Sequence, residues 1–204
     1  MRDSKAAVRQ GYDAVSYRYR ADDAGAGEYE PWLDVLRGRL RTGATVLDLG
    51  CGCGVPVARD LVAAGHDVTG VDISDVQIER ARRLVPEALF IRSDFAELAF
   101  EGESFDAITC FYALIHVPLP EQPMLIDRMA HWLRAGGLVL ATVGDAAWTG
   151  TKDGWLGGEA SMWWSHAEAD TYRLWFRDAG LTILDDRFVP EGSSGHRYLA
   201  AERR

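Results

Sequence analysis

Between residues 46 and 54 the chain reads Val-Leu-Asp-Leu-Gly-Cys-Gly-Cys-Gly, an apolar strand with one acid, Asp48, running straight into glycines at 50, 52 and 54. Glycines at alternate positions remove side chains where the backbone turns sharply, and they leave N–H groups at the start of the next helix open to a ligand. Asp48 narrows the choice of ligand. A pyrophosphate lying on that turn is repelled by an adjacent carboxylate, whereas a molecule with a cationic near end is attracted to it. S-adenosylmethionine has such an end.

Length and charge narrow the field further. The 204 residues suit one domain with one large core, and 48% apolar content supports a globular fold. Lys and Arg total 22 against 31 Asp and Glu, a net charge of -9 that disfavours nucleic acid and points to a small soluble partner. No apolar run approaches the roughly 20 residues of a spanning helix, and residues 1–5 lead into no signal-type segment, so no membrane partner and a cytoplasmic location are expected. Three cysteines make a poor disulfide framework and fit a reducing compartment. Cys51 and Cys53 lack a second ligand pair, so no metal is expected.

Hydrophobic periodicity predicts helices over 4–20, 29–40, 55–65, 75–85 and 121–134, alternating with strands over 45–49, 67–72, 88–92, 105–111 and 137–143. Ser165 and Glu168 form a capping box for a further helix that Gly180 ends, and residues 181–188 and 196–202 read as a closing pair of strands. Ser74 and Gln77 form another capping box, and Pro56 suits a first helical turn. The fold class is α/β, a doubly wound, mostly parallel sheet with an antiparallel last strand and ligands at the strands' C-terminal ends.

Further acids extend the ligand site. Asp72 ends the second strand, 24 positions after Asp48, where a carboxylate accepts from two ribose hydroxyls. Ser93-Asp94-Phe95 follows the third strand; Asp94 suits an adenine amino group and Phe95 the ring face.

These segments together resemble the class I S-adenosylmethionine-dependent methyltransferases, particularly the small-molecule type, over roughly residues 10 to 145. Val46–Gly54 is similar to that family's first motif, Asp72 to its ribose acid and Phe105-Asp106-Ala107-Ile108 to its fourth strand. The resemblance implies a Rossmann-like seven-stranded fold and S-adenosylmethionine as cofactor. It places the methionine portion on Asp48, Gly50, Cys51, Gly52 and Gly54, and the nucleoside on Asp72, Ile73, Gln77, Ser93, Asp94 and Phe95. Cys110, Phe111 and Tyr112 would receive the amino group, while Tyr12-Asp13 and Tyr19 lie on a helical cover, residues 1–40, over the cofactor.

Two histidines are candidates for proton management. His116, just beyond the fourth strand, serves either to position the cofactor loop or as a general base. His166 follows Ser165, and at a helix start the dipole would keep its imidazole neutral and able to accept a proton, or leave it as a solvated helix-start residue. Five of the seven tryptophans fall between 148 and 175. Trp175, with Tyr172, Leu174 and Phe176, reads as core. Trp148, Trp155, Trp163 and Trp164 lie in an aperiodic, glycine-rich stretch, 145–165, that reads as an aromatic lid over the substrate, with Tyr12 beside it. The acceptor is expected to be a small, apolar or aromatic molecule methylated on O, N or C, and cation–π contact keeps an amine in view. A nicotinamide oxidoreductase is disfavoured by Asp48 and by the lack of a Tyr-x-x-x-Lys motif. The rival reading is a cofactor-binding protein without transferase activity, or a relative using the sulfonium otherwise. Oligomeric state is not legible.

Overall fold

Thr45–Leu49 (β1) is apolar on both faces, which only a strand covered on both sides tolerates, and all but its first residue are buried. It pairs in parallel with Asp67–Asp72 (β2) on one side and Phe105–Cys110 (β4) on the other. With Leu89–Arg92 (β3), Leu133–Gly144 (β5), Leu181–Glu191 (β8) and Ser194–Arg203 (β9), they form a seven-stranded sheet in the order β3-β2-β1-β4-β5-β9-β8. The final strand, β9, runs antiparallel to both β5 and β8. Strand order reverses beside β1, so the crevice at its C-terminal end is where a ligand enters a doubly wound sheet. The computed structural model describes residues 2–157, 161–192 and 194–204. Residues 158–160 of the expected lid, and residue 193 of the closing turn, lie outside the described residues.

Helices Val57–Ala63 (α3) and Asp75–Leu84 (α4), with Glu30–Arg39 (α2), cover one face, burying Trp32, Leu36, Leu61 and Ile78 against Val46 and Val68. Gln122–Trp132 (α5) and Ala169–Asp178 (α6) cover the other, where Leu125, Met129 and Phe176 meet Leu47 and Ile108. Pro56 stands just before α3, not within its first turn. The fifth strand starts at Leu133, ahead of the expected 137, because a register shift opposite Phe105 and Ala107 lets the chain pair before its glycines. Gly180 follows α6 with φ of +80°, as a left-handed C-terminal stop. Tyr172 and Phe176 are buried, but Leu174, expected with them, is 56% exposed. Among the described residues no helix is long and apolar enough to cross a membrane.

Helix Arg2–Tyr19 (α1) lies across α4, held by polar contacts. Asp13 Oδ1 accepts from the Ser74 hydroxyl at 2.6 Å and from the Val76 N–H at 3.2 Å. Arg80, 2% exposed, donates to Ser16 Oγ, the Arg20 carbonyl and Asp22. Only half of the expected capping box forms: the Gln77 N–H donates to Ser74 Oγ at 3.1 Å, while the Gln77 side chain accepts from Ser16. The tie to α1 has taken the side chain that would have closed the box.

The 145–165 segment is more ordered than its composition implies. Trp148–Lys152 (β6) and Met162–His166 (β7) pair as a separate antiparallel hairpin. Alternating threonines and tryptophans favour strands, and the Trp148 ring packs over Gly150, whose missing side chain leaves room for it. Ser165 therefore caps no helix. It is buried in β7, its hydroxyl 2.9 Å from Thr149 Oγ1 and its carbonyl accepting from Gln122, and α6 starts after Glu168 instead. His166 is a strand residue, so the helix dipole does not act on it.

Ser74→Ala removes both the helix cap and the hydrogen bond to Asp13. Urea unfolding followed by circular dichroism is expected to show a loss of about 1–2 kcal/mol, and a loss under 0.5 kcal/mol on that scale contradicts this role.

Candidate functional site

The acid of β1 is buried, 2% exposed, and only half satisfied. Asp48 Oδ1 accepts from Thr109 Oγ1 at 2.7 Å, whereas Oδ2 is buried with no partner. Burial, reinforced by the nearby charge of Asp72, pushes its pKa up to about 7. The turn beyond it folds onto β2, with the Gly50 and Cys51 N–H groups both donating to the Val71 carbonyl. Gly50 has φ of +74°, and a Cβ there would lie 2.2 Å from that of Ala113, so no other residue fits.

Asp72 is fastened to the same turn. Its Oδ2 accepts from the Gly52 N–H at 2.9 Å and its Oδ1 from the Ser74 N–H at 2.8 Å. Burial raises its pKa to about 6, against the lowering effect of those N–H groups. Each oxygen keeps a lone pair for a further donor. A pocket of about 620 Å³ opens here, lined by Asp72, Ile73, Gln77, Asp94, Phe95 and the Gly50–Gly52 turn. An adjoining pocket of about 390 Å³ is lined by Asp48, Cys51 and Tyr19, with Phe111 common to both.

Not all expected ligand residues reach these pockets. Gly54 packs under Phe90 and Val85, and Cys110 is buried in the core. The Ser93 N–H donates to the Asp72 carbonyl. These three shape the walls and are not among the lining residues. Asp94 lines the pocket, but its Oδ2 is held by Lys5 of α1 at 2.6 Å, and Lys5 also reaches Glu121 at 2.5 Å. Lys5 escaped the sequence reading because nothing local connects residue 5 to residue 94.

His116 is locked. Its Nδ1 lies 2.7 Å from the Trp163 carbonyl, which can only accept, so Nδ1 carries the proton and Nε2 accepts from the Tyr12 hydroxyl at 3.0 Å. Burial pushes its pKa down to about 4, leaving the ring neutral at physiological pH. Beyond it lies an open cavity of about 1760 Å³ with Tyr12, Trp148, Trp155 and Trp164 in its wall. The rings interlock edge-on: Tyr12 and Trp155 have centroids 5.4 Å apart, Trp155 and Trp164 5.7 Å. Trp163, expected with them, alternates to the other face of β7 and contributes its carbonyl to His116 instead of a ring to the cavity. His166 lines the cavity, and burial, not a helix dipole, lowers its pKa. His196, Glu191 and Phe188 of the closing strands complete the wall. They went unnoticed because a closing hairpin carries no motif.

The pockets suit an amino-acid-tipped nucleoside: Asp48, with one carboxylate oxygen unpaired, is among the residues lining the smaller one, and Asp72 is among those lining the larger. A family model described as a methyltransferase domain matches residues 46–137. The methyltransferase GfsG of Streptomyces halstedii is 32% identical over 198 residues, covering 88% of this chain and 69% of that protein. The chain belongs to the class I S-adenosylmethionine-dependent methyltransferase family. Its fold also matches a Burkholderia thailandensis 1,6-didemethyltoxoflavin-N1-methyltransferase with bound S-adenosylhomocysteine, with a TM-score of 0.74 and 21% identity over 99% of this chain and 89% of that one. A sterol 24-C-methyltransferase of Pneumocystis carinii is 36% identical over 109 residues, half of this chain but only 28% of that enzyme's length. Among the described residues of the glycine turn and its strand, Asp48 carries the one buried carboxylate oxygen without a partner.

An acid whose pKa is raised on folding destabilises the folded chain as pH climbs from its unfolded value near 4 to its folded value near 7. Asp48→Asn removes that penalty. In thermal melts of the ligand-free protein the variant is expected to melt higher than the wild type at pH 8, by about 1–3 kcal/mol of stability, and to match it near pH 4. Equal melting at both pH values refutes this account of Asp48.

Proposed function

We propose that this chain transfers a methyl group from S-adenosylmethionine to O, N or C of a small, apolar or aromatic molecule. The observation that carries the reading is continuity: Tyr12, Tyr19, Tyr112 and His116 line both the nucleoside pocket and the aromatic cavity, so a cofactor and an acceptor meet across one wall. Bound S-adenosylmethionine supplies a methyl group already activated by a sulfonium. The remaining tasks for the chain are alignment, exclusion of water and handling of a proton.

Asp48 and the glycine turn hold the methionine portion, Asp72 the ribose, and Phe95 covers the adenine. His116 acts as a positioning residue, because its two ring nitrogens tie Tyr12 of α1 to Trp163 of the hairpin and thereby fix two walls of the cavity. The hairpin forms the lid, closing an apolar ring surface over the acceptor. Free, buried Cys51, Cys53 and Cys110 support a reducing, cytoplasmic setting.

The test is calorimetric titration with S-adenosylhomocysteine, then methyl transfer to a panel of aromatic acceptors. Saturable binding with turnover is expected, and binding without turnover of any acceptor favours the non-transferase reading. Asp72→Ala, which removes two ribose hydrogen bonds, is expected to weaken S-adenosylhomocysteine binding by about a hundredfold; unchanged affinity rejects the assignment of Asp72.

A further inference from the structure

Three histidines line the aromatic cavity, and their surroundings separate them. His116 has both ring nitrogens engaged, by Tyr12 and the Trp163 carbonyl. The His166 ring is packed against the backbone of β5, where a Cβ on Gly144 would lie 2.4 Å from Nδ1, and that nitrogen has no partner. His196 alone of the three has a carboxylate at its ring: Nδ1 lies 3.0 Å from Glu191 Oε2. That distance is an ion-pair contact and not a formed hydrogen bond, since His196 Nδ1, like His166 Nδ1, has no hydrogen-bond partner. What separates the two rings is the carboxylate beside His196, and such contacts tighten when a site fills.

Strand geometry produces this pair. His196 stands opposite Val189 in the β8–β9 ladder, so Glu191, two residues further on the same face, is its diagonal neighbour. On its other side His196 is paired with Gly144 of β5, which fixes the backbone from both flanks. The Tyr112 ring meets it edge-on, centroids 5.2 Å apart and planes at 86°. Tyr112 also lines the nucleoside pocket, so the imidazole stands one ring away from the cofactor site. The groups facing His196 are Glu191 from β8, Tyr112 from the segment after β4, and His116 and His166 within electrostatic reach.

Building on the methyltransferase reading, we propose that His196 is the general base, oriented by Glu191, and that the acceptor is an aromatic hydroxyl of the phenol or enol type. A neutral amine already exposes a lone pair and a carboxylate is already ionised, so neither needs such a pair. A phenol loses its proton near pH 10, about 3.5 above an imidazole in water, a gap that a positioned base can bridge during transfer, whereas an aliphatic alcohol lies far beyond it. The ring-lined cavity accommodates the planar body of such a molecule. In the step the acceptor O–H bond breaks, its proton goes to His196 Nε2, and the electron pair stays on oxygen to form the bond to the methyl carbon, while the methyl–sulfur bond breaks and its electron pair returns to sulfur, leaving S-adenosylhomocysteine. Glu191 stabilises the imidazolium through Nδ1, and its side chain, 65% exposed, stands where the proton passes on to water.

The test uses 4-nitrophenol as a chromogenic probe on protein loaded with S-adenosylhomocysteine. In the wild type the bound probe is expected to ionise at lower pH than the free phenol, read from its phenolate absorbance. His196→Gln abolishes the shift while retaining binding, Glu191→Gln reduces it, and Glu191→Asp partly restores it. With S-adenosylmethionine and 2-naphthol, His196→Gln lowers kcat by about a hundredfold with KM within about threefold. A shift that survives His196→Gln, 2-naphthol turnover unaffected by that change, or cofactor-loaded wild type that does not take up 4-nitrophenol each overturns the proposal. Failure of calorimetry to detect S-adenosylhomocysteine binding refutes instead the methyltransferase reading beneath it.

Discussion

A carboxylate buried without its full set of partners is the constraint around which this structure is arranged. Burying an ionised acid is costly unless it is paired, and proteins normally either satisfy such a group or expose it. Asp48 is neither exposed nor satisfied, and Asp72, next to it, is satisfied only by backbone N–H groups. The two negative charges also raise one another's cost. A chain that keeps both sacrifices stability in its empty form, and a ligand carrying a cationic amino group and two hydroxyls relieves that cost on binding. The glycine turn belongs to the same arrangement, since Gly50 brings Ala113 close enough to leave no room for a side chain between the ligand and the sheet.

The roof over this crevice comes from far away in sequence. Helix α1 is tied to α4 through Asp13 and Arg80, to Asp94 through Lys5, and to the hairpin through Tyr12 and His116. These ties are polar, local to one side of the pocket, and partly exposed. A roof held in this way opens more readily than a packed core, which a deep nucleoside pocket requires for exchange. The two pockets share this roof, so movement of α1 for one ligand changes the walls seen by the other.

The central sheet was legible because its signals are local and repeated. The bounds of β1 and β2 coincide with the apolar runs, and the acids at their ends identified the crevice before any geometry was known. The hairpin was misread because glycines and tryptophans without a clear period resemble a loop, and its pairing is a property of two segments together. Ser165 shows the limit of capping rules: a Ser-x-x-Glu pattern is satisfied in sequence, yet cross-strand contact with Thr149 and a bond to Gln122 claim the residue for a strand. His196 was overlooked for a related reason. Its meaning depends on Glu191 across a turn and on Tyr112 from a distant strand end, and neither neighbour follows from a local pattern.

Charge balance among the cavity histidines explains why a proton taken up at one of them leaves in a single direction. Burial holds His116 and His166 neutral, and a positive charge on His196 lowers the proton affinity of both still further. A proton placed on His196 is thus kept from the deeper rings by desolvation and by its own field. Glu191 acts in the opposite sense, because its carboxylate is held in the ionised form by its contact with His196 and reaches into water. The side of the cavity that accepts the proton is therefore also the side that releases it.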